Sequence, residues 1–583
     1  METIQTILES KLRAAVGETG GIPVTVQATQ DARFGDYQGN IAMQLAKSRK
    51  GNPRAIAQEI IARLDVADIC EAPEIAGAGF INFRLKPATL AAHFAALNKD
   101  PRLGVPSVTP RRLVIDFSSP NVAKPMHVGH FRSTFLGDAL ARIARFLGHT
   151  VVADNHIGDW GTQFGMLCLA WKTIIDKAAL ERDPIGELER VYKLQNEQCK
   201  TDPAAMGAAR SELVKLQSGD PENLAIWKEM IRLSQLQFDT IYSRLDIHFD
   251  CTLGESFYNP WLKDTVAELL KTGIAQKSDG AICVFSDGSV PEKEDPFLIK
   301  DENGWKPSPA LVQKADGASN YTTTDLATIA YRVREFAPDE IIYVTDGRQQ
   351  LHFRQFFTIW RRLHTDSTVK LSHCWFGSIL GEDGKPFKTR SGDTVKLADL
   401  LDEAEERAYK VVREKNPELP ELECREIARI IGLGAVKYAD LLPNRQGDYV
   451  FSWDKLLSFQ GNTAPYLQNA YVRIRSIFRR AAEQGITELP AEVQLTEPAE
   501  FALVKKLAQL GETLPGILDD HRPNILCNYL FELANAYHSF YEACPVLKAA
   551  EPARSSRLAL SEATARTLKH GLGLLGIEVP ERM

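Results

Sequence analysis

The chain has 583 residues, 44% of them hydrophobic and 25% charged, which is enough for about three or four globular domains with a large buried core. A net charge of −7 excludes nucleic-acid binding by bulk positive charge, so any RNA must be met by local patches. No apolar run reaches about 18 residues, which excludes a membrane-spanning helix, and the nine scattered cysteines form neither a CxxC pair nor a disulfide-scaffold spacing, which excludes a recognisable zinc site and suits a reducing compartment.

At the N-terminus, Met1 to Val16 mixes Glu2, Glu9, Lys11 and Arg13 with apolar residues at helical spacing, which predicts an amphipathic helix and not a signal peptide. A stretch around Val24 to Gln27 follows, then Ala32 to Gln38 leading into a helical run from Asn40 to Lys50, and Pro53 restarts a helix. Gly77 to Leu85 reads as a strand, so residues 1–105 form a small α/β unit that ends near the proline-rich hinge Pro101 to Pro110. Phe80 and Asn82 on that strand carry the chemistry of a single-stranded RNA reader, a ring to stack on a base and an amide to bond its edge; the alternative is a core Phe on an ordinary strand.

Leu113 to Phe117 is a β-rich run bounded by Pro110 and Pro120, which suits a buried parallel strand. Pro120 and Pro125 lack amide donors, so the first comfortable helical turn begins near Met126. His127 and His130 then sit on one face of that opening turn, beside backbone N–H groups and the positive end of the helix dipole, where phosphate is favoured. Gly129 between them presents bare backbone to a flat purine. In an isolated pair, two such histidines more often face solvent or accept a core hydrogen bond. Here the string Ser119-Pro120-Asn121-Val122-Ala123-Lys124-Pro125-Met126-His127-Val128-Gly129-His130 resembles the arginyl-tRNA synthetase version of the class I His-Ile-Gly-His signature. The shorter His-x-Gly-His core also occurs in other nucleotidyltransferases that make adenylates.

Val151 to Asp154 reads as a second strand, and strand, helix, strand implies a parallel sheet whose ligands sit at the carboxyl ends, where Ser119 and Asp154 fall. Asn155 to Gly165 is a glycine-rich loop similar to the family's Gly-Asp-Trp-Gly-x-Gln-Phe-Gly, with Asp159 and Gln163 available to substrate. Residues 166–245 are helical and rich in Lys and Glu, and 250–315 carry short strands and turns, so about 166–315 reads as an insertion between two halves of the sheet. If Tyr321 to Ala327 opens a helix, Tyr321 and Asp325 share a face, and a planar guanidinium is the partner that satisfies such a carboxylate while the phenol adds a hydrogen bond. The alternatives are that Asp325 caps its helix or pairs with Arg332. Ile341 to Val344 is another buried strand. The resemblance assigns Tyr321 and Asp325 to the arginine side chain, and Ser119, Asn121 and Gln349 to its α-amino and carboxylate groups.

Phe387 to Gly392 occupies the place of the second class I signature, Lys-Met-Ser-Lys-Ser, but the second lysine is replaced by Ser391 or Gly392. Lys388 and Arg390 are the loop's candidate contacts to ATP; the alternative is two solvated cations on a flexible turn. The missing positive charge must meet developing negative charge from elsewhere, and the resemblance places that role on Lys124, with His127 and His130 as its catalytic companions.

From about 426 to 583 the pattern is helical throughout. Tyr466 to Arg480 sets tyrosines beside Arg473, Arg475, Arg479 and Arg480, suited to stacking on unpaired bases and neutralising phosphate; the alternative is the charged outer face of a bundle helix. The segment, with Tyr466 and Gln468, resembles the anticodon-binding bundle of arginyl-tRNA synthetases, and the first 105 residues resemble the extra domain that contacts the tRNA elbow. The resemblance therefore implies a class I Rossmann-like catalytic domain over 106–425 between those two. Its expected activity is ATP-dependent formation of arginyl-adenylate, then transfer to the 2′-hydroxyl of the terminal adenosine of tRNA(Arg). The partners so implied are L-arginine, ATP with Mg2+ and tRNA, the last generally needed for the first step, in a cytoplasmic monomer without structural zinc. Two other classes stand beside this one: another adenylate-forming nucleotidyltransferase, against which the helical C-terminal region speaks, and a non-catalytic RNA-binding paralogue, against which both intact histidines speak.

Overall fold

The computed structural model describes residues 1–29, 31–387, 395–487, 490 and 493–583. It divides into two compact units that do not follow chain order, one made of residues 1–108, 412–431 and 457–583, the other of 109–411 and 432–456.

The first unit opens with α1 (Ile4–Val16), whose first turn is closed by the Thr3 hydroxyl accepting from the Thr6 amide. Strands β1 (Val26–Ala28) and β2 (Tyr37–Gly39), helices α2 (Ile41–Arg49) and α3 (Pro53–Ile61), strands β3 (Glu74–Ala76) and β4 (Phe80–Phe83) and helix α4 (Pro87–Lys99) follow. The strands form an antiparallel sheet in the order β1-β2-β4-β3. The run predicted as one strand from Gly77 is in fact a turn followed by a strand: Gly77 and Gly79 take positive φ of 52° and 134° and reverse the chain between β3 and β4.

The second unit is built on β5 (Arg112–Asp116), α5 (Val128–Leu147) and β6 (Thr150–Asp154). The predicted insertion contributes α6 (Gln163–Thr173), α7 (Lys177–Arg182), α8 (Pro184–Thr201), α9 (Pro203–Gln217), α10 (Pro221–Arg244) and α11 (Asn259–Lys271). It ends in the strands β7 (Ala275–Ser278), β8 (Ala281–Val284), β9 (Leu298–Asp301), β10 (Gly304–Pro307) and β11 (Ala310–Gln313), paired β11-β8-β7 and β10-β9. Then α12 (Tyr321–Phe336), β12 (Glu340–Tyr343), α13 (Gln350–Leu363) and β13 (Lys370–His373) complete a four-stranded parallel sheet in the order β13-β12-β5-β6.

The sheet core is Val114, Leu326, Ile329, Ile341, Phe353, Phe356 and Trp360, all buried, from strands and helices that cover one another's apolar sides. Gly137 lets α5 lie directly on the strand, since a Cβ there would stand 2.1 Å from the Phe117 ring. From β5 the chain goes to one side to form β6 and returns through the insertion to form β12 on the other side. The reversal of strand order between β5 and β12 opens a crevice at their carboxyl ends, the usual place for a ligand in an open α/β sheet.

The short pair β14 (Ile379–Leu380) and β15 (Tyr449–Val450) and helices α14 (Leu397–Lys415), α15 (Glu421–Leu441) and α16 (Trp453–Leu456) precede the last five helices. These are α17 (Ala464–Glu483), α18 (Pro498–Ala508), α19 (Leu510–Asp520), α20 (Asn524–Ala543) and α21 (Ala553–Leu574). They belong to the first unit, where Lys505 on α18 pairs with Asp36 at 2.7 Å and the Tyr37 hydroxyl donates to Glu512 on α19 at 2.7 Å. Among the described residues no helix is long and apolar enough to cross a membrane.

Candidate active site

The crevice is a cavity of about 680 Å³, lined on the β5 side by Asp116, Ser119, Asn121, His127, Gly129 and His130. After β5 the chain is strained: Ser118, Ser119 and Ala123 all take left-handed backbone, with φ of 69°, 48° and 62°, each costing on the order of 1–3 kcal/mol. Side chains from three other segments hold it there. The amides of Ser118, Ser119 and Ala123 donate to Ser133 Oγ, Asn155 Oδ1 and Ser234 Oγ at 2.9, 3.1 and 2.9 Å. The loop is also laced to the next one, Val122 N–H to Gly158 O and Gly158 N–H to Pro120 O, both at 3.0 Å. Gly158 leaves room for the Asn121 side chain, whose Oδ1 would stand 2.4 Å from a Cβ there and would have to move aside for any other residue.

Helix α5 starts at Val128, two residues later than predicted, because His127 is its N-cap. His127 Nδ1 accepts from the Gly129 amide at 2.9 Å, and His130 Nδ1 accepts from the His127 amide at 3.2 Å, a capping box built from two imidazoles. Burial lowers both ring pKa values, helped at His127 by Lys124 and Arg348, and at His130, which falls to about 3, by His127. Both rings are therefore neutral near pH 7. With each Nδ1 used as an acceptor, each proton sits on Nε2, leaving two N–H donors, on rings 4.1 Å apart, at the positive end of a helix.

The same cavity is lined on its other side by Glu255, Tyr321, Asp325, Gln349 and His352. Tyr321 is the first residue of α12 and Asp325 follows one turn later, as the spacing predicts. Asp325 neither caps the helix nor meets Arg332. Its Oδ2 lies 2.5 Å from His352 Nε2 on α13. Arg332 is buried, donating to Asp116 Oδ2 at 2.7 Å and Asp154 Oδ2 at 2.8 Å, so that it binds the ends of two adjacent strands. Glu255 is the residue that sequence reasoning missed. Burial, then Asp325, then Asp159 push its carboxyl up to about 8. Its place is set by Asp159, which accepts from the Ser256 amide and hydroxyl at 2.8 and 2.6 Å, and by Gly254, whose bare Cα admits that carboxylate. Asp159 and Gln163 do not line the cavity; Asp159 acts one step back, through Glu255. Lys124 also lies off the lining, with its ammonium over the Tyr192 ring. Lys388 and Arg390 lie outside the described residues.

A cavity with two neutral imidazole donors on a helix N-terminus and an acidic, phenolic corner suits a phosphate and a cationic side chain together. Residues 94–453 match the family model of tRNA synthetases class I (R), catalytic domain. The chain belongs to the arginyl-tRNA synthetase family. Residues 467–583 match a DALR anticodon binding domain and 2–85 an arginyl tRNA synthetase N terminal domain. The arginine–tRNA ligase of Chromobacterium violaceum is 45% identical over 586 residues, with all of both chains covered, and that of Saccharophagus degradans is 47% identical over 590, again with all of both covered. Among solved structures, the arginyl-tRNA synthetases of Plasmodium falciparum and Thermus thermophilus cover all of both chains, with TM-scores of 0.83 and 0.81 at 28% and 25% identity.

The RNA contacts predicted for this synthetase are distributed differently by its first unit. Phe80 lines a cavity of about 270 Å³ with Thr25, Gln27, Phe34, Gln38 and Asn40. Asn82 is buried and accepts from Gln38 Nε2 at 2.7 Å, so its amide supports that cavity from behind instead of facing it. On α17, Tyr466 and Arg473 line a small cleft with Tyr537, His538 and Tyr541. Gln468 is fully buried and donates to the Ile430 and Glu578 carbonyls, a structural position in the bundle and not an RNA-facing one. Arg475 pairs with Glu562 at 2.5 Å and Arg479 donates to the Glu581 carbonyl at 3.1 Å, so both are engaged within the bundle.

Proposed function

We infer that the chain is an arginine–tRNA ligase, which joins L-arginine to ATP as arginyl-adenylate with release of pyrophosphate and then transfers arginine to the 2′-hydroxyl of the terminal tRNA adenosine. Supporting this above all is the pairing, in one cavity, of the Tyr321, Asp325 and Glu255 corner with the His127 and His130 donors. Two carboxylates and a phenol complement a guanidinium in charge and hydrogen-bond geometry. Ser119, Asn121 and Gln349 line the same cavity and would orient the α-amino and carboxylate groups. The arginine carboxylate attacks the α-phosphorus in line, and the chain promotes this by holding both reactants and by stabilising charge on the phosphates, without a covalent enzyme intermediate. Because both imidazoles are neutral, they serve as N–H donors, and the net positive charge comes from the α5 dipole and from Lys124.

Among the described residues no three His, Cys, Asp or Glu side chains converge on a metal site. Magnesium would accompany the ATP phosphates, which need few protein ligands for it. Residues 1–105, with Phe80, are proposed to meet the tRNA elbow, and the bundle from 426 onward, with Tyr466 and Arg473, to meet the anticodon. The test is ATP–pyrophosphate exchange with arginine or citrulline, with and without tRNA. Exchange that depends on arginine and on tRNA is expected, whereas exchange indifferent to the guanidinium would overturn the assignment of the acidic corner.

A further inference from the structure

Lys124 has an unusual setting for a surface-loop lysine. It is half-buried, no carboxylate pairs with it among the described residues, and its ammonium lies over the face of Tyr192 with Nζ 4.8 Å from the ring centroid. Tyr192 belongs to α8 of the insertion, far from Lys124 in sequence. The same helix face carries Glu189, one turn earlier, and that carboxylate is already engaged by Lys193 at 2.7 Å and Lys396 at 3.4 Å. Lys396 stands just beyond residues 388–394, and its segment is tied to the signature by Val128 N–H to Val395 O and Leu397 N–H to Met126 O, at 3.1 and 2.9 Å. One helix face thus holds two lysines, one from within the signature and one from the segment tied to it, in two different ways: Lys396 by a carboxylate and Lys124 by a ring.

The difference has a chemical consequence. A carboxylate would cancel the ammonium's charge, and that ion pair would have to be broken before the lysine met a phosphate. A ring face attracts the cation by its quadrupole and adds no net charge, so the field of Lys124 persists. That field reaches the site, since Lys124 is among the groups that lower the pKa values of both His127 and His130. Burial also lowers the pKa of Lys124 itself, as expected of an ammonium held without a counter-charge.

We propose that Tyr192 is a positioning residue for adenylate formation, its ring holding the Lys124 ammonium beside the signature histidines with the charge uncancelled. This rests on the reading of Lys124 as the cation that the second signature lacks. The experiment is single-turnover adenylate formation at saturating arginine, ATP and tRNA for Lys124→Met, Tyr192→Leu, Tyr192→Phe and the two-site Lys124→Met, Tyr192→Leu protein, with the Michaelis constant for arginine measured alongside. Tyr192→Leu should lower the rate about three- to tenfold with the arginine constant unchanged, and Tyr192→Phe should keep most of the rate because the ring face remains. In the Lys124→Met background, Tyr192→Leu should have no further effect. Should Leu at 192 disturb folding, phenylalanines of increasing ring fluorination at that position keep the shape while weakening the quadrupole, and the rate should fall stepwise along the series. A Lys124→Met protein near the wild-type rate would overturn the reading of Lys124 itself. A crippled Lys124→Met beside an unaffected Tyr192→Leu would overturn the positioning role alone, as would losses that add in the two-site protein or ignore fluorination.

Discussion

At the scale of single residues, the two signature histidines work with fixed protons. Each Nδ1 accepts a backbone amide, so neither ring can turn over to present the other nitrogen without undoing the cap of α5. His127→Ala or His130→Ala should therefore cost about 2–4 kcal/mol of the adenylation barrier, with arginine affinity nearly unchanged. Single-turnover rates beside calorimetric arginine binding check this, and equal losses in both would assign the rings a structural role. Glu255 behaves in the opposite way, since it changes its proton. Its carboxyl, raised to about 8 by burial and by Asp325 and Asp159, is mostly protonated at pH 7. A bound guanidinium favours the carboxylate, so arginine binding should expel a proton at pH 7, and the affinity should strengthen as pH rises from about 7 to 9. Calorimetry in buffers of different ionisation enthalpy reads the proton directly, and Glu255→Gln should abolish its release while raising the arginine Michaelis constant. Release from the Glu255→Gln protein equal to wild type would move the proton to another group.

At the scale of elements, the cavity has its walls because protein side chains tie the strand ends together. Arg332 on α12 bonds the carboxylates that end β5 and β6, and Ser119 Oγ donates to the remaining oxygen of Asp116 at 3.0 Å. Three charges with a net of minus one, nearly sealed from water, are held by the planar fork of a single guanidinium. Arg332→Met should thus leave two buried carboxylates unpaired and destabilise the fold by about 3–5 kcal/mol, seen as a lowered denaturation midpoint. Arg332→Lys should rescue little, because a lysine cannot form that fork. A midpoint within about 1 kcal/mol of wild type for Arg332→Met would mean that water replaces the guanidinium there.

At the scale of the whole molecule, three half-buried histidines make folding sensitive to acid. Burial is the first cause in each: His93 falls to about 4, His373 to about 4 and His130 to about 3. In the unfolded chain these rings take up protons near pH 6.5, while the folded rings do not, so stability should be intact above about pH 6.5 and be lost progressively as pH falls toward 3. Thermal melts across that range check this, and His93→Gln, at a residue that does not line the cavity, should flatten part of the drop. The sequence by itself pointed to the reaction class through the family resemblance that the signature string carries, whose two histidines meet across the cap of α5. It determined the side chains of the signature because strand, loop and helix there are contiguous. Tyr321 and Asp325 were legible for the same reason, one turn apart at the start of α12. Only the tertiary structure decided that Glu255 joins them, that His352 takes Asp325 while Arg332 goes to the strand ends, that Lys124 rests on Tyr192, and that Asn82 and Gln468 turn inward. Each of those is a pairing between distant segments or a choice of buried face, and both depend on how the insertion and the helices fold back, which no local period encodes.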